Sequence, residues 1–183
     1  MNYNKTTLVD AQGISKLIKR ISHEIIESSS NNDRLAVIGI KNRGDFIARR
    51  IVDQIKNISN VNVSLGTIDV TFHRDDYRTN LGSPEVGISE IKFNVTDRDL
   101  ILIDDVLYTG RTIRAAMEEI FTYGRPERIR LAVIVDRGHR ELPISPDYIG
   151  KNIPTSHDEK IRVLISEIDG SDGVEIEWIQ KAN

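Results

Sequence analysis

Two hydrophobic rhythms alternate along this chain. Residues 35–40, LAVIGI, form an unbroken, largely β-branched run, after which Phe46, Ile47, Ile51 and Ile55 recur at helical spacing. Leu100, Ile101, Leu102 and Ile103 form a second run, extended by Val106 beyond two acids. Continuous rather than alternating apolar character predicts strands covered on both faces of a parallel sheet. Ile113, Ala116, Met117, Ile120 and Phe121 then mark one stripe of a helix, with Thr112 as its expected N-cap. Residues 128–135 supply a third apolar strand. Strand, helix, strand, helix, strand with loops at one edge predicts an α/β fold built on a mostly parallel, doubly wound sheet.

The flanking segments fit around that unit. Residues 6–9 read as a short edge strand, and Asp10 as the N-cap of a helix with Ile14, Leu17, Ile18, Ile21 and Ile25 on one face. The cluster SSSNND at 28–33 ends that helix. Residues 61–72 read as a longer strand whose alternation slips near Gly66, which predicts a bulge. Residues 73–78, HRDDYR, and the Gly/Pro-punctuated stretch after them have no apolar period; they read equally as a mobile arm or a solvated loop. Residues 137–158 are irregular and charged, as in a small lid, and alternation at 162–167 and 174–178 across DGSDG predicts a terminal β-hairpin.

Composition narrows the class. With 183 residues, 39% hydrophobic and 29% charged, the chain suits one soluble α/β domain over 1–183. It has no cysteine, which excludes disulfides, thiolate metal sites and a cysteine nucleophile. The first residues lack the apolar core of a signal peptide, and no apolar run approaches the ~18 residues of a membrane span, so a cytoplasmic protein is expected. A net charge of −3 argues against wholesale nucleic-acid binding and leaves room for a local basic patch.

The chemistry concentrates between the second run and its helix, in Asp104-Asp105-Val106-Leu107-Tyr108-Thr109-Gly110-Arg111-Thr112. A loop entering a helix N-terminus offers unpaired amides and partial positive charge, a cradle for a phosphate, and Thr109, Gly110 and Thr112 add hydroxyls and close backbone access. Two adjacent carboxylates would repel a phosphate; they suit a sugar diol, a magnesium ion, or both. A ribose 5-phosphate carries both kinds of group. The loop GIKNRGD at 39–45 places two cations between glycines at a strand end; this suits a highly charged anion, although by itself it is equally a plain strand-to-helix turn.

Residues 101–112 resemble the signature of type I phosphoribosyltransferases, and DDVLYTGRT with DRGHRELPI resembles the PyrR family, uracil phosphoribosyltransferases that also regulate pyrimidine operons. The resemblance runs from Ile14 to the final hairpin. It implies the type I phosphoribosyltransferase fold, with a flexible arm over about 73–90 and a hood over about 137–158 plus the hairpin. It implies Mg2+-assisted transfer from phosphoribosyl pyrophosphate (PRPP) to uracil, giving UMP and pyrophosphate. Asp104 and Asp105 would hold the ribose, and Val106, Leu107, Tyr108, Thr109, Gly110, Arg111 and Thr112 the 5′-phosphate. Lys41, Asn42, Arg43, Gly44 and Arg74 would hold pyrophosphate, Asp75 and Asp76 would help position magnesium, and Val135, Arg137 and Ile161 would face uracil.

Purine enzymes of the type carry an aspartate where this chain has Tyr108, which leaves the chain without an obvious carboxylate base and favours a base as readily deprotonated as uracil. The family's second role, UMP- or UTP-dependent binding of a messenger leader hairpin (transcription attenuation), points to Lys19, Arg20, His23, Arg43, His139 and Arg140. Against it stand Ser28 and Ser145 at positions where regulators present arginine, and Asn42 in place of threonine. A homodimer or higher oligomer is implied. The other readings are an enzyme for purine or orotate, and a non-catalytic PRPP or nucleotide sensor that binds RNA.

Overall fold

The computed structural model describes residues 3–29, 32–70 and 88–179. Its main sheet has five strands in the order β3-β2-β4-β5-β6: Ser64–Ile68, Leu35–Ile40, Asp99–Leu107, Arg128–Asp136 and Tyr148–Asn152. All four pairings are parallel. Helices α1 (Ala11–Ser28) and α2 (Gly44–Ser59) cover one face, and α3 (Arg111–Tyr123) covers the other.

The continuous apolar runs are explained by this double cover. Val37, Ile101, Ile103 and Ile134 pack with Ile14, Ile18, Ile21, Ile25, Ile47, Ile51 and Ile55 of α1 and α2. Their strand neighbours Ile38, Leu100, Leu102 and Val133 point the other way, onto Ile113, Ala116 and Ile120 of α3. Period-two alternation persists, with both faces buried.

A second, antiparallel sheet has the order β1-β8-β7: Tyr3–Val9, Gly173–Ile179 and Glu159–Leu164. The terminal hairpin is therefore present, with the N-terminal strand added to it and a short helix α4 (Ser166–Asp169) within its connection. Ile161, Val163 and Val174 extend the α1/α2 core into this sheet. Asp10 caps α1 as expected, its carboxylate accepting from the Gly13 amide at 2.7 Å.

Several expectations need correction. No bulge interrupts β3, whose register with β2 is unbroken from Ala36↔Ser64 to Ile40↔Ile68. Val61, Val63 and Leu65 pack towards α1 and α2, whereas Ile68 and Val70 pack towards α3; two apolar faces had the appearance of a phase slip. Residues 71–87, and with them Arg74, Asp75 and Asp76, lie outside the described residues. The chain after them pairs back onto β3, with Thr67 and Glu90 exchanging amide bonds of 2.9 and 2.8 Å. The segment 137–158 is not all lid, since Tyr148–Asn152 is the edge strand of the main sheet. Thr112 is not the cap of α3, which begins at Arg111 behind Gly110, a residue with φ of 94°. Among the described residues no helix is long and apolar enough to cross a membrane.

Candidate active site

The carboxyl ends of β2, β4 and β5 meet the hood sheet around one cavity of about 570 Å3. Asp104, Asp105, Val106, Tyr108 and Thr112 line it with Arg43, Arg137 and Ile161, bringing together members of the ribose, 5′-phosphate, pyrophosphate and uracil groups the sequence singled out.

Strand β4 does not stop before the acids but runs through them to Leu107, because Asp104, Val106 and Leu107 pair with Val133, Val135 and Asp136 of β5. Asp104 and Asp105 thus sit on a rigid strand, 3% and 7% exposed. The Asp105 amide donates to Asp104 Oδ1 and the Val106 amide to Asp105 Oδ1, each at 2.9 Å, so both carboxylates are fixed by backbone.

The turn that follows is only Tyr108-Thr109-Gly110. Thr109 is buried; its Oγ1 accepts from the Arg111 amide at 3.3 Å, and its carbonyl accepts from the amides of Glu141 and Leu142 at 3.0 and 3.2 Å. Gly110 takes the left-handed conformation that lets the chain turn directly into α3. Amides at the start of a helix lack partners within it, which is the arrangement that can hold an anion. Leu107 can contribute only through its backbone, since its side chain is 1% exposed in the α3 core. Arg111 is drawn to Glu141, with Nε 2.8 Å from Oε2.

On the β2 side, the Lys41–Asn42 peptide is cis. The Lys41 amide donates to the Ile68 carbonyl at 2.8 Å, and Lys41 Nζ to the Ile88 carbonyl at 2.9 Å. Asn42 is exposed, and Arg43 is clasped by Asp169 of the hood through bonds of 3.2 and 2.8 Å. A Cβ on Gly44 would lie 2.5 Å from the Ile103 carbonyl oxygen, so α2 begins in backbone contact with β4. In the first turn of α2, burial raises the Asp45 carboxyl above its usual range, against the pull of the Phe46 amide and of Lys41.

On the β5 side, Arg137 is 8% exposed. Its amide donates to the Leu107 carbonyl at 3.1 Å, Nε to Thr155 Oγ1 at 3.2 Å and Nη2 to the Glu159 carbonyl at 2.9 Å. Its guanidinium lies 4.1 Å from the centre of the Tyr108 ring. Val135 is fully buried in β5, paired with both Val106 and Lys151, and is not among the cavity-lining residues.

The basic residues of the RNA expectation divide into two places. Lys19, Arg20 and His23 are on α1, where Arg20 Nη2 donates to the Ile149 carbonyl at 2.8 Å and also to that of Gly150, tying the helix to β6. His139 and Arg140 belong to the loop after β5. Arg140 bonds the carbonyls of Ile144 and Tyr108 at 2.9 and 2.7 Å and the Asp136 carboxylate at 2.6 Å, so it knits that loop together. His139 Nε2 lies 2.6 Å from the Thr155 carbonyl, with its ring 4.3 Å from that of His157. Ser28 bonds Tyr148 and Arg130 at 2.6 and 2.7 Å, at the opposite end of the sheet from the cavity.

Sequence reasoning missed Thr155, His157 and Asp169. The acids of 167–172 are the one signal available for Asp169, in a stretch that otherwise reads as a hairpin turn.

The phosphoribosyl transferase domain profile matches residues 4–164. Bifunctional protein PyrR of Clostridioides difficile strain 630 is 51% identical over 172 residues, 94% of this chain and 97% of that protein. The PyrR of Streptococcus suis is 52% identical over 167 residues, 91% and 94% of the two chains. A hypoxanthine-guanine phosphoribosyltransferase from Bacillus anthracis superposes with a TM-score of 0.70 at 18% identity, covering 96% of this chain and 99% of that one, which speaks for the fold alone. With a matching domain profile over most of its length and relatives at about half identity, the chain belongs to the phosphoribosyl transferase family and, within it, to the PyrR family of bifunctional proteins.

Proposed function

We propose that this protein transfers the phosphoribosyl group of PRPP to uracil, giving UMP and pyrophosphate, and regulates pyrimidine genes through UMP-dependent binding of a messenger leader. The observation that carries the catalytic reading is the juxtaposition of Asp104 and Asp105 with the start of α3, in one cavity with Arg43 on one side and Arg137 on the other.

A bond forms between uracil N1 and ribose C1′ as the bond from C1′ to pyrophosphate breaks, and the N1 proton leaves to solvent. Positive charge grows on the ribose ring and negative charge on the leaving group. Asp104 and Asp105, each held by the amide of the residue that follows it, hold the diol and favour the cationic ring without having to reorganise. The amides and hydroxyls from Thr109 to Thr112 hold the 5′-phosphate and so fix C1′ in the cavity. Arg43, with Lys41, Asn42, Gly44 and Arg74, receives the pyrophosphate charge. Ile161, which is buried and lines the cavity, gives the base an apolar wall, and Arg137 with the Tyr108 ring bounds it on the other side. Magnesium bound with PRPP supplies neutralisation of the pyrophosphate, and the hard oxygen donors Asp104 and Asp105 fit such an ion, with Asp75 and Asp76 as further candidates.

The test is magnesium-dependent pyrophosphate release from PRPP with uracil, hypoxanthine, guanine, adenine and orotate in parallel. Uracil alone should support turnover. Turnover with a purine instead would refute the base assignment; tight uridine nucleotide binding without turnover would leave a sensor. The regulatory role is tested by filter binding: UMP should tighten binding of a pyrimidine leader hairpin over random RNA, through Lys19, Arg20, His23, His139 or Arg140. Absence of that preference at low salt would remove it. We place the protein in the cytoplasm as a homodimer or higher oligomer, and sedimentation of the purified chain checks the assembly.

A further inference from the structure

Two arginines reach from the start of α2 across to the hood, and one of them belongs to the loop read above as the pyrophosphate site. Arg50 donates through Nε to Glu167 at 3.0 Å, through Nη1 and Nη2 to Asp172 at 2.8 and 2.9 Å, and through Nη2 to Ser166 at 2.8 Å. Seven residues earlier, and so on nearly the same side of the helix axis, Arg43 meets Asp169 with Nε at 3.2 Å and Nη2 at 2.8 Å. Asp169 is itself anchored: its Oδ2 accepts from the Ile165 amide at 2.9 Å, and its own amide donates to the Ile165 carbonyl at 2.7 Å. Both side chains are sheltered, 24% and 12% exposed.

A guanidinium presents two bidentate edges. Asp169 occupies the Nε/Nη2 edge. The Nη1/Nη2 edge carries no further partner among the described residues, and Arg43 lines the cavity with Asp104 and Asp105. The Arg43 guanidinium keeps the Asp169 carboxyl below its usual range, so at neutral pH the holder is fully ionised. A long side chain that would otherwise sample many rotamers is therefore held by a second shoulder of protein, built on α4 and braced by Arg50.

We propose that Asp169 is a positioning residue for phosphoribosyl transfer: by clasping one edge of Arg43 it aims the other edge into the cavity, at a diphosphate. The inference rests on reading loop 41–44 as the pyrophosphate site. It makes the hood, through α4, a part of the diphosphate site as well as a cover for the base.

The test compares the full chain with Asp169→Asn, Asp169→Glu, Arg43→Ala, the Arg43→Ala/Asp169→Asn double variant and Asp172→Asn. The readouts are KM for PRPP, KM for uracil, product inhibition by pyrophosphate, and a melting curve for each. Asp169→Asn should raise KM for PRPP and the pyrophosphate inhibition constant about ten-fold, the scale of one weakened charge-assisted contact, with uracil KM unmoved. Asp169→Glu should recover most of that loss, and Asp169→Asn should add nothing once Arg43 is gone. Asp172→Asn, which loosens α4 through Arg50 and the Ser166 amide without touching Arg43, should lower the melting temperature and leave PRPP kinetics alone. A lower PRPP KM in Asp169→Asn would make Asp169 a competitor for Arg43 and overturn the proposal. So would equal losses in Asp169→Asn and Asp172→Asn, or additive losses in the double variant. If Arg43→Ala itself leaves PRPP kinetics unchanged, the loop assignment fails first; if only Arg43→Ala matters, that assignment stands and the role of Asp169 alone falls.

Discussion

Replacing Gly44 by alanine tests whether the two loops at the ends of β2 and β4 form one rigid unit. A Cβ built on Gly44 falls 2.5 Å from the Ile103 carbonyl oxygen and 3.2 Å from Asp104 Cα. Ordinary contact begins near 3.4 Å, so the shortfall is about 0.9 Å against backbone of a central strand. The obstacle cannot rotate away as a side-chain tip would. The start of α2 must move outward, carrying Arg43, while Asp104 and Asp105 stay with β4. Overpacking of this kind costs roughly 1–3 kcal/mol. At this chain length that lowers the melting temperature by roughly 3–10 °C. The larger effect should be kinetic, because a misplacement of about 1 Å between substrate-positioning groups costs on the order of 10²-fold in rate. The assay is kcat/KM for PRPP beside a thermal melt, with Gly138→Ala as control. Gly138 has φ of 79° and nothing within 4 Å of a built Cβ, so alanine there carries only backbone strain of about 1–2 kcal/mol. A folded Gly44→Ala enzyme with kcat/KM for PRPP within about three-fold of the parent would refute the rigid coupling.

Other predictions address each part of the site. Asp105→Asn should lower kcat for uracil phosphoribosylation by roughly 10²–10³-fold, as expected for loss of a preorganised charge; unchanged turnover would remove Asp105 from the ribose. Arg137→Ala should raise KM for uracil far more than KM for PRPP, and the reverse split would move Arg137 out of the base site. Asp99→Ala should destabilise by about 3–5 kcal/mol, since it strands Arg130, whose Nη2 lies 2.7 Å from Asp99 Oδ2 with side chains 10% and 7% exposed; PRPP kinetics should stay unchanged, since this pair lies at the far end of the sheet. Glu167 and Asp169 are held below their usual ranges by Arg50 and Arg43, and Asp172 too, where Arg50 and the Ser166 amide outweigh burial. Depressed carboxyls give stability that is present above the ordinary carboxylate range and lost as pH falls through their folded values. Arg50→Ala should therefore flatten the acid limb of a melting-temperature profile; an unchanged limb would show that these carboxylates do not set it.

The parallel sheet was legible because double cover turns a strand into an uninterrupted apolar word, as in LAVIGI and LILI. The turn into α3 was legible because small and polar residues stand between an apolar run and a helical stripe. What pairing decides was not. YIGKN carries two exposed polar residues at its end and has one neighbour in the sheet, so nothing local marks it as the edge strand that β5 makes of it. In β4 the apolar run resumes at Val106 beyond the acids, and the ladder to β5 carries the strand on to Leu107. Thr112 fits the capping rule, yet Gly110 turns the chain into the helix two residues sooner. The bond between Arg43 and Asp169 spans 126 positions, beyond any periodicity.

These pairings explain how a charged cavity can be kept in order before substrate arrives. Asp104 and Asp105 are fixed by backbone amides, Arg43 by a hood carboxylate, and Arg137 by Thr155, the Glu159 carbonyl and the Tyr108 ring. Each of these four side chains is oriented by protein contacts. Orientation settled during folding need not be repeated at each binding event, so more of the interaction with PRPP is left to favour charge separation at C1′. The opposite end of the sheet shows what such order requires: Arg130 bonds Asp99, Ser28, Ser29 and Tyr148 together and ties α1 to β4, β5 and β6. Ser28 is occupied here as a partner of Arg130 and Tyr148. A role for this face in RNA recognition must therefore rest on the exposed cations of α1 rather than on that position.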